Sequence, residues 1–194
     1  MIVHLITSKK NLDQTIPYLR RITAAIHDKE STLARDWIEP AYVRYSKESQ
    51  GVKRPPVDWK AVQKDNLEAI AKADVVIAEA TETGFGIGYQ VAYAVQLKKP
   101  VLILRNEKAN TDSFASGVDN INVRYKEYDD KTLEKHVNDF LDENDISTKD
   151  MRFNFFIDRP IYNYLRWSSL KTGKTKAEVL RELVQREIDN TTQH

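Results

Sequence analysis

The chain has 194 residues, 30 Lys and Arg against 29 Asp and Glu, a formal net charge of +1, and no cysteine. Balanced charge gives no global field to draw in nucleic acid or a membrane surface, and the missing cysteines exclude disulfides and thiolate metal sites. No apolar run approaches the roughly 20 residues of a membrane span, and the opening MIVHLITSKK lacks a secretory signal's basic flank and long apolar core.

These features lead us to expect a soluble, cytoplasmic protein of one large or two small domains. Ile2–Ile6 is an apolar run and predicts a first, central strand. Thr7, Ser8, Lys9 and Lys10 follow at its C-terminal end, where a Ser hydroxyl and a Lys ammonium can hold phosphate oxygens. A solvated polar loop is the competing reading. Pro17 suits the first turn of a helix running to Asp28, with Leu19, Ile22, Ala25 and Ile26 as its buried stripe. Trp37-Ile38 reads as a short second strand, and Pro40 to Pro56, with Gly51 and the Pro55-Pro56 pair, reads as a long loop. Asp58 is the expected N-cap of a helix through Ala71, with Val62, Leu67 and Ile70 inward.

Ala73–Leu104 organises the chain: ADVVIAEATETGFGIGYQVAYAVQLKKPVLIL. Val75–Ala78 has the length of a strand buried on both faces, with Glu79 at its end. Thr81–Gly88 follows as a loop holding Gly84, Gly86 and Gly88, and Ile87, Val91 and Val95 then line one helix face. Pro100 stops that helix before Val101–Leu104 resumes a strand, so the unit is a parallel, right-handed crossover. The glycines suit close backbone approach to an anion at the helix N-terminus. A tight turn with nothing bound fits the spacing equally well.

The residues ADVVIAE, GFGIGYQVAYA and KKPVLIL resemble the nucleoside 2-deoxyribosyltransferase family, especially its deoxynucleoside-monophosphate N-glycosidase branch. The resemblance is tightest over Ala73–Leu104 and extends loosely over the first 145 residues. It implies a sugar-phosphate pocket at the glycine loop and catalysis by a glutamate just inside the helix. That position is Gln90 here, and the family's acidic helper aligns with Asn66, with Asp65 directly beside it. A carboxylate attacks the sugar's anomeric carbon in such retaining chemistry, whereas an amide carries no charge and serves only as a hydrogen-bonding group. Both replacements imply a pocket kept for binding. The family also keeps an acid at Glu79, read here as an anchor for the loop. Tyr42 and Tyr45 fall where the family closes over the base, as stacking residues or as a surface or interface pair. A serine from a neighbouring subunit reaches the phosphate in that family, which makes Ser113 and Ser116 ligand candidates.

Beyond Leu104, Ile121–Tyr125 is an expected last strand, and Leu133, Val137, Phe140 and Leu141 mark a closing helix. Such alternation specifies a doubly wound five-stranded parallel α/β sheet, flavodoxin- or Rossmann-like, whose ligands bind at the strands' carboxyl ends. Composition changes at Asp142–Asp150, and the expected division is a domain over 1–143, a linker over 144–150 and a second domain over 151–190. Met151–Ile157 alternates like a strand, Asp158 and Pro160 open a helix, and Thr172-Gly173-Lys174 breaks it. Thr175 to Glu178 is a capping box opening a last helix. One strand and two short helices bury too little surface to stand alone, so this piece is expected to dimerise.

The pattern resembles the ribbon-helix-helix repressors. That likeness implies base contacts from Arg152, Asn154 and Phe156, and backbone contacts from Lys174, Thr175 and Lys176. Residues 151–194 hold eight Lys and Arg against five Asp and Glu, a surplus that permits DNA binding without requiring it. Dimerisation alone is the alternative role. The four histidines show no ligand spacing, and neither metal nor cofactor is expected.

The sequence thus predicts a nucleotide- or nucleoside-binding regulator, dimeric or tetrameric, built on an inactive deoxyribosyltransferase-like domain with double-stranded DNA as its partner. The alternative is an active deoxyribosyltransferase or N-glycosidase using Glu79, Glu82 or Asp65, with the tail serving assembly alone.

Overall fold

Apolar strands alternating with amphipathic helices have one economical solution, a sheet covered on both faces, and the chain adopts it. The computed structural model describes residues 1–53, 55–109, 114–145 and 155–191. It divides into two compact units, Met1–Thr148 and Lys149–His194.

The first unit runs β1 (Ile2–Thr7), α1 (Leu12–Asp28), β2 (Thr32–Leu33), α2 (Ile38–Ser49), α3 (Trp59–Lys72), β3 (Val75–Glu79), α4 (Phe85–Gln96) and β4 (Val101–Asn106). A 3-10 turn (Phe114–Gly117), β5 (Val123–Tyr128) and α5 (Leu133–Asn144) complete it. All strand pairs are parallel and the order is β2-β1-β3-β4-β5. Side-chain alternation sends Val3, Leu5, Val75 and Ile77 to a layer with α1 and α5, and Ile6, Val76 and Ala78 to a layer with α3 and α4. Every residue of β3 and β4 is buried, as strands covered on both faces require. Leu133, Val137, Phe140 and Leu141 of α5 are buried as the spacing predicts. In α4 Ile87 is buried, while Val91 and Val95 pack half-buried against the same layer.

Several expectations need correction. The first strand is not central: β1 is second in the order and β3 takes the middle, because the two-residue β2 pairs with β1 through Ile2↔Thr32 and Val3↔Leu33. The second strand is therefore Thr32–Leu33 and not Trp37-Ile38, and Ile38 instead opens a helix. Of the expected loop from Pro40 to Pro56, the part up to Ser49 belongs to the helix α2, and the described residues after it form no helix or strand before Trp59. Pro40 sits in the first turn of α2, where a missing N–H costs nothing, and Ile38, Ala41, Tyr42 and Tyr45 pack on the core.

Helix α1 starts five residues before Pro17. Buried Leu12 and Ile16 extend the apolar stripe backwards, and that packing outweighs the one backbone bond that proline forfeits. Helix α4 starts at Phe85, so Gly86 and Gly88 lie in its first turn and Gly84 precedes it. The last strand is displaced to Val123–Tyr128, pairing Val101↔Val123 through Asn106↔Tyr128, and leaves Ile121 97% exposed.

The second unit contains α6 (Arg159–Thr172) and α7 (Lys176–Thr191). Asp158 caps α6 by accepting from Ile161 N at 3.0 Å, and Gly173 ends it in the left-handed region at φ 71°, where glycine carries no Cβ penalty. Thr175 and Glu178 form the reciprocal capping box of α7, with Glu178 accepting from Thr175 N at 2.7 Å and Thr175 Oγ1 accepting from Glu178 N at 3.3 Å. Of the expected strand Met151–Ile157, residues 151–154 lie outside the described residues, and Phe155–Ile157 form no strand.

Candidate functional site

Strand order reverses between β1 and β3, since the connection after β1 leads outward to β2 and the chain then crosses back. Loops leaving neighbouring strands in opposite directions part there and open a crevice at the carboxyl edge. A cavity of about 230 Å³ occupies it, lined by Thr7 and Ser8 from the end of β1, Asn66 from α3, and Gly84, Gly86 and Gln90 from the start of α4. The structure therefore brings together six residues that the sequence picked from three distant stretches. A second hollow of about 820 Å³ adjoins it, sharing Ser8, Lys9, Arg35, Trp37 and Trp59 and adding Arg44 and Tyr45.

None of the three glycines is needed for packing. A Cβ at Gly84, Gly86 or Gly88 would meet nothing within 4 Å, and none of them has a left-handed φ. Gly84 and Gly86 line the cavity at the start of α4, whose first N–H groups have no intrahelical acceptors, whereas Gly88 does not line it. Gln90 is half-buried, and its Nε2 donates to the Gly86 carbonyl at 3.0 Å. Asn66, not Asp65, lines the cavity. Arg35 ties the two together, donating to Asn66 Oδ1 and, at 3.1 Å, to Asp65 Oδ2. Trp37 is fixed by its indole N–H, which donates to the Leu5 carbonyl at 3.1 Å. Trp59 is 56% exposed at the rim, with Lys9 Nζ 4.2 Å from its ring centre.

Glu79 is 1% exposed. One carboxyl oxygen accepts from Tyr128 Oη at 2.9 Å, from Thr81 N at 3.2 Å and from the Thr81 hydroxyl, and the other accepts from Thr7 Oγ1 at 3.3 Å. Burial pushes this carboxyl above the usual carboxylate range, and its hydrogen bonds oppose that shift. With both oxygens occupied inside the protein, it has no path to a sugar carbon. Glu82 accepts from Asn11 Nδ2 at 2.7 Å and pairs with Lys10 Nζ at 3.1 Å, and these partners hold its carboxyl below the usual range. Lys10, read as a phosphate holder, is thus already paired, although its side chain remains 70% exposed. Ser8 Oγ accepts from Lys10 N at 3.0 Å.

Tyr45 lines the larger hollow, whereas Tyr42 packs on the core beneath Arg20. Ser116 is exposed on the 3-10 turn and does not line the crevice, and Ser113 lies outside the described residues. Among the described residues, no group of three His, Cys, Asp or Glu is placed to hold a metal ion.

Sequence reasoning missed His4 and Arg35. His4 is buried on β1, and its signal was a lone polar residue inside an apolar strand run. Arg35 had a weaker signal, a cation just beyond an edge strand too short to recognise.

In the second unit, Arg152 and Asn154 lie outside the described residues, while Phe156 is fully exposed. Lys174 pairs with Glu182, the Thr175 hydroxyl is engaged by its capping box, and Lys176 Nζ lies 4.3 Å from the Tyr162 ring centre. Each of the three implied phosphate contacts thus has an internal partner.

A five-stranded parallel sheet wound on both faces, with a polar crevice at its order reversal, makes the first unit a doubly wound α/β protein. No family model matches the chain. Over 43 residues, 22% of this chain and 26% of the relative, it is 42% identical to the 5-hydroxymethyl-dUMP N-hydrolase of Rattus norvegicus. The match therefore spans about a quarter of that curated relative's length. Among solved structures, a Clostridium botulinum CMP N-glycosidase is similar over 74% of this chain and 98% of its own, with a TM-score of 0.46 and 20% identity. Among the described residues, no helix is long and apolar enough to cross a membrane.

Proposed function

We propose that residues 1–143 bind a nucleoside monophosphate without cleaving it, and that residues 151–190 form a ribbon-helix-helix-type unit that joins copies of the chain and binds DNA. The chain is then a nucleotide-responsive regulator. One observation carries the first half: a neutral carboxamide, Gln90, faces the crevice at the first turns of the glycine-opened helix. A retaining glycosidase needs a carboxylate there to form its glycosyl intermediate, and an amide oxygen, its lone pairs delocalised, does not attack. The open helix N-terminus still favours a phosphate, and Gln90 and Asn66 still offer hydrogen bonds to sugar hydroxyls.

The test is thermal unfolding with CMP and with 5-hydroxymethyl-dUMP, followed by chromatography for free base. Ligand that binds only the native state adds about 2.7 kcal/mol at a hundred times its Kd. The expected result is a raised Tm, no base released by the wild type, and measurable release on Gln90→Glu. Efficient base release by the wild type would end this reading in favour of an N-glycosidase. Asp65, half exposed beside the crevice, is the observation favouring that rival, and lost turnover in Asp65→Asn would establish it.

Support for the second half comes from exposed apolar side chains. Ile161, Tyr164, Trp167, Leu170, Val184 and Ile188 are all exposed, and of this unit's hydrophobic residues only Leu165 and Val179 are buried among those described. Such a surface favours association. Fluorescence anisotropy on random DNA duplexes at several salt concentrations tests the DNA role, because phosphate contacts must weaken steeply as salt rises. Binding that is absent at low salt leaves the unit an assembly device alone.

A further inference from the structure

The carboxyl edge of the sheet holds a second cavity, of about 490 Å³, that shares no lining residue with the crevice. Its walls include Tyr18 from α1, Thr81 and Glu82 from the loop after β3, and Tyr128 at the end of β5. Asn106 and Lys108, at and just beyond the end of β4, complete that side. The cavity thus belongs to the α1 side of the sheet, while α3 and α4 wall the crevice. Its volume lies within the range of small-molecule pockets, roughly 300–1,000 Å³.

Glu79 bonds to the linings of both. One of its oxygens accepts from Thr7, which lines the crevice, and the other accepts from Thr81 and Tyr128, which line the second cavity. That bonding fixes what the second cavity offers an occupant. The Thr81 and Tyr128 hydroxyls each spend their one hydrogen on Glu79, the latter at 2.9 Å, so only oxygen lone pairs are left for a ligand. Glu82 adds a carboxylate, which accepts from Asn11 Nδ2 at 2.7 Å and has lone pairs to spare. Three oxygen acceptors around one hollow match a compound rich in O–H donors. The rings of Tyr18 and Tyr128, edge to face at 5.5 Å, supply apolar surface beside them.

Two ammonium groups also line the cavity. Lys10 spends one of its three hydrogens on Glu82 at 3.1 Å, and Lys108 is exposed with no carboxylate partner among the described residues. Against the single carboxylate of Glu82 they leave one net positive charge, which favours an anionic group on the occupant.

We propose that this cavity is a second small-molecule site and takes a phosphorylated monosaccharide. Sugar hydroxyls donate to Thr81, Glu82 and Tyr128, and phosphate oxygens accept from Lys10 and Lys108. Binding makes and breaks no covalent bond. The site does not depend on nucleotide binding in the crevice, because the two linings are separate.

The experiment titrates full-length wild type with glucose 6-phosphate and with ribose 5-phosphate, read by assigned aromatic ring signals in NMR. Trp37 and Trp59 line the crevice without a tyrosine, whereas Tyr18 and Tyr128 line the second cavity without a tryptophan. At least one of the two sugar phosphates is expected to move the Tyr18 and Tyr128 signals and leave Trp37 and Trp59 in place. Lys108→Glu should weaken that binding about tenfold, and so should replacing the ligand by unphosphorylated glucose or ribose. Lys108→Arg, which keeps the charge, should retain it. Lys108 is exposed, so both variants should melt with the wild type. Inorganic phosphate, lacking the hydroxyls, should also bind about tenfold more weakly. Tyrosine signals that neither sugar phosphate moves overturn the proposal, as do tyrosine shifts that survive Lys108→Glu. Movement of the tryptophan signals alone overturns it too, and places the sugar phosphate in the crevice instead. Inorganic phosphate that binds as tightly as the sugar phosphates overturns the monosaccharide assignment.

Discussion

Two buried titratable side chains pull the stability of this protein in opposite directions as pH changes. His4 has its pKa lowered from 6.5 to about 4, first by desolvation and then by the nearby Arg35 charge, against a contact with Gln90 that raises it. The unfolded chain therefore binds more protons than the folded one between those values, so stability rises with pH across that window. A shift of this size amounts to about 3 kcal/mol, fully present above pH 6.5 and lost as pH falls towards 4. Glu79 is shifted the other way, its folded pKa raised, so its contribution is full below its unfolded value of 4.5 and lost as pH rises through the folded one. Urea melts of wild type minus His4→Phe cancel the Glu79 term. That difference should grow in favour of the variant as pH drops from 6.5 to 4. Glu79 also gathers hydroxyls from Thr7, Thr81 and Tyr128, so Glu79→Ala should cost about 2–4 kcal/mol in the same melts by leaving buried donors unpaired.

At the scale of elements, the helix boundaries show which local signals hold. Asp58 was legible as an N-cap because a short acceptor before an apolar-periodic run has few other uses, and its carboxylate accepts from Lys60 N at 3.1 Å and Ala61 N at 3.0 Å. Asp58→Ala should lower stability by about 1 kcal/mol, read as a shifted urea midpoint with unchanged slope. Pro40 and Pro17 misled for one reason. A proline reads as a loop residue at Pro40 and as a first-turn residue at Pro17, whereas Pro40 sits in the first turn of α2 and Pro17 is overruled by the buried residues before it. Strand β2 was illegible, since two residues carry no period.

For the whole molecule, the two units pose different problems of burial. The first has two apolar layers on either side of one sheet and fills both. The second, with Leu165 and Val179 as its buried hydrophobic residues among those described, leaves Trp167 55% and Leu170 78% exposed. Under the proposed association, the melting temperature should rise with protein concentration, and Leu170→Glu should abolish that dependence and lower the mass seen in sedimentation. An unchanged mass at every concentration would count against assembly through this unit.

What the sequence determined by itself was local: the buried runs of β3 and β4, the stripe of α5, and the capping residues Asp58, Asp158 and Thr175. Each is encoded within a few residues, by periodicity or by a side chain bonding its own backbone. Only the tertiary structure placed β3 at the centre, turned Asn66 and not Asp65 into the cavity, and brought Arg35 to the same lining as Gln90. Adjacent positions on a helix differ by about 100° of rotation, and which one faces a ligand is fixed by how the helix docks on the sheet. Contacts between strands and helices far apart in the chain leave no period to read, so the crevice could be named from sequence while the residues that tune it could not.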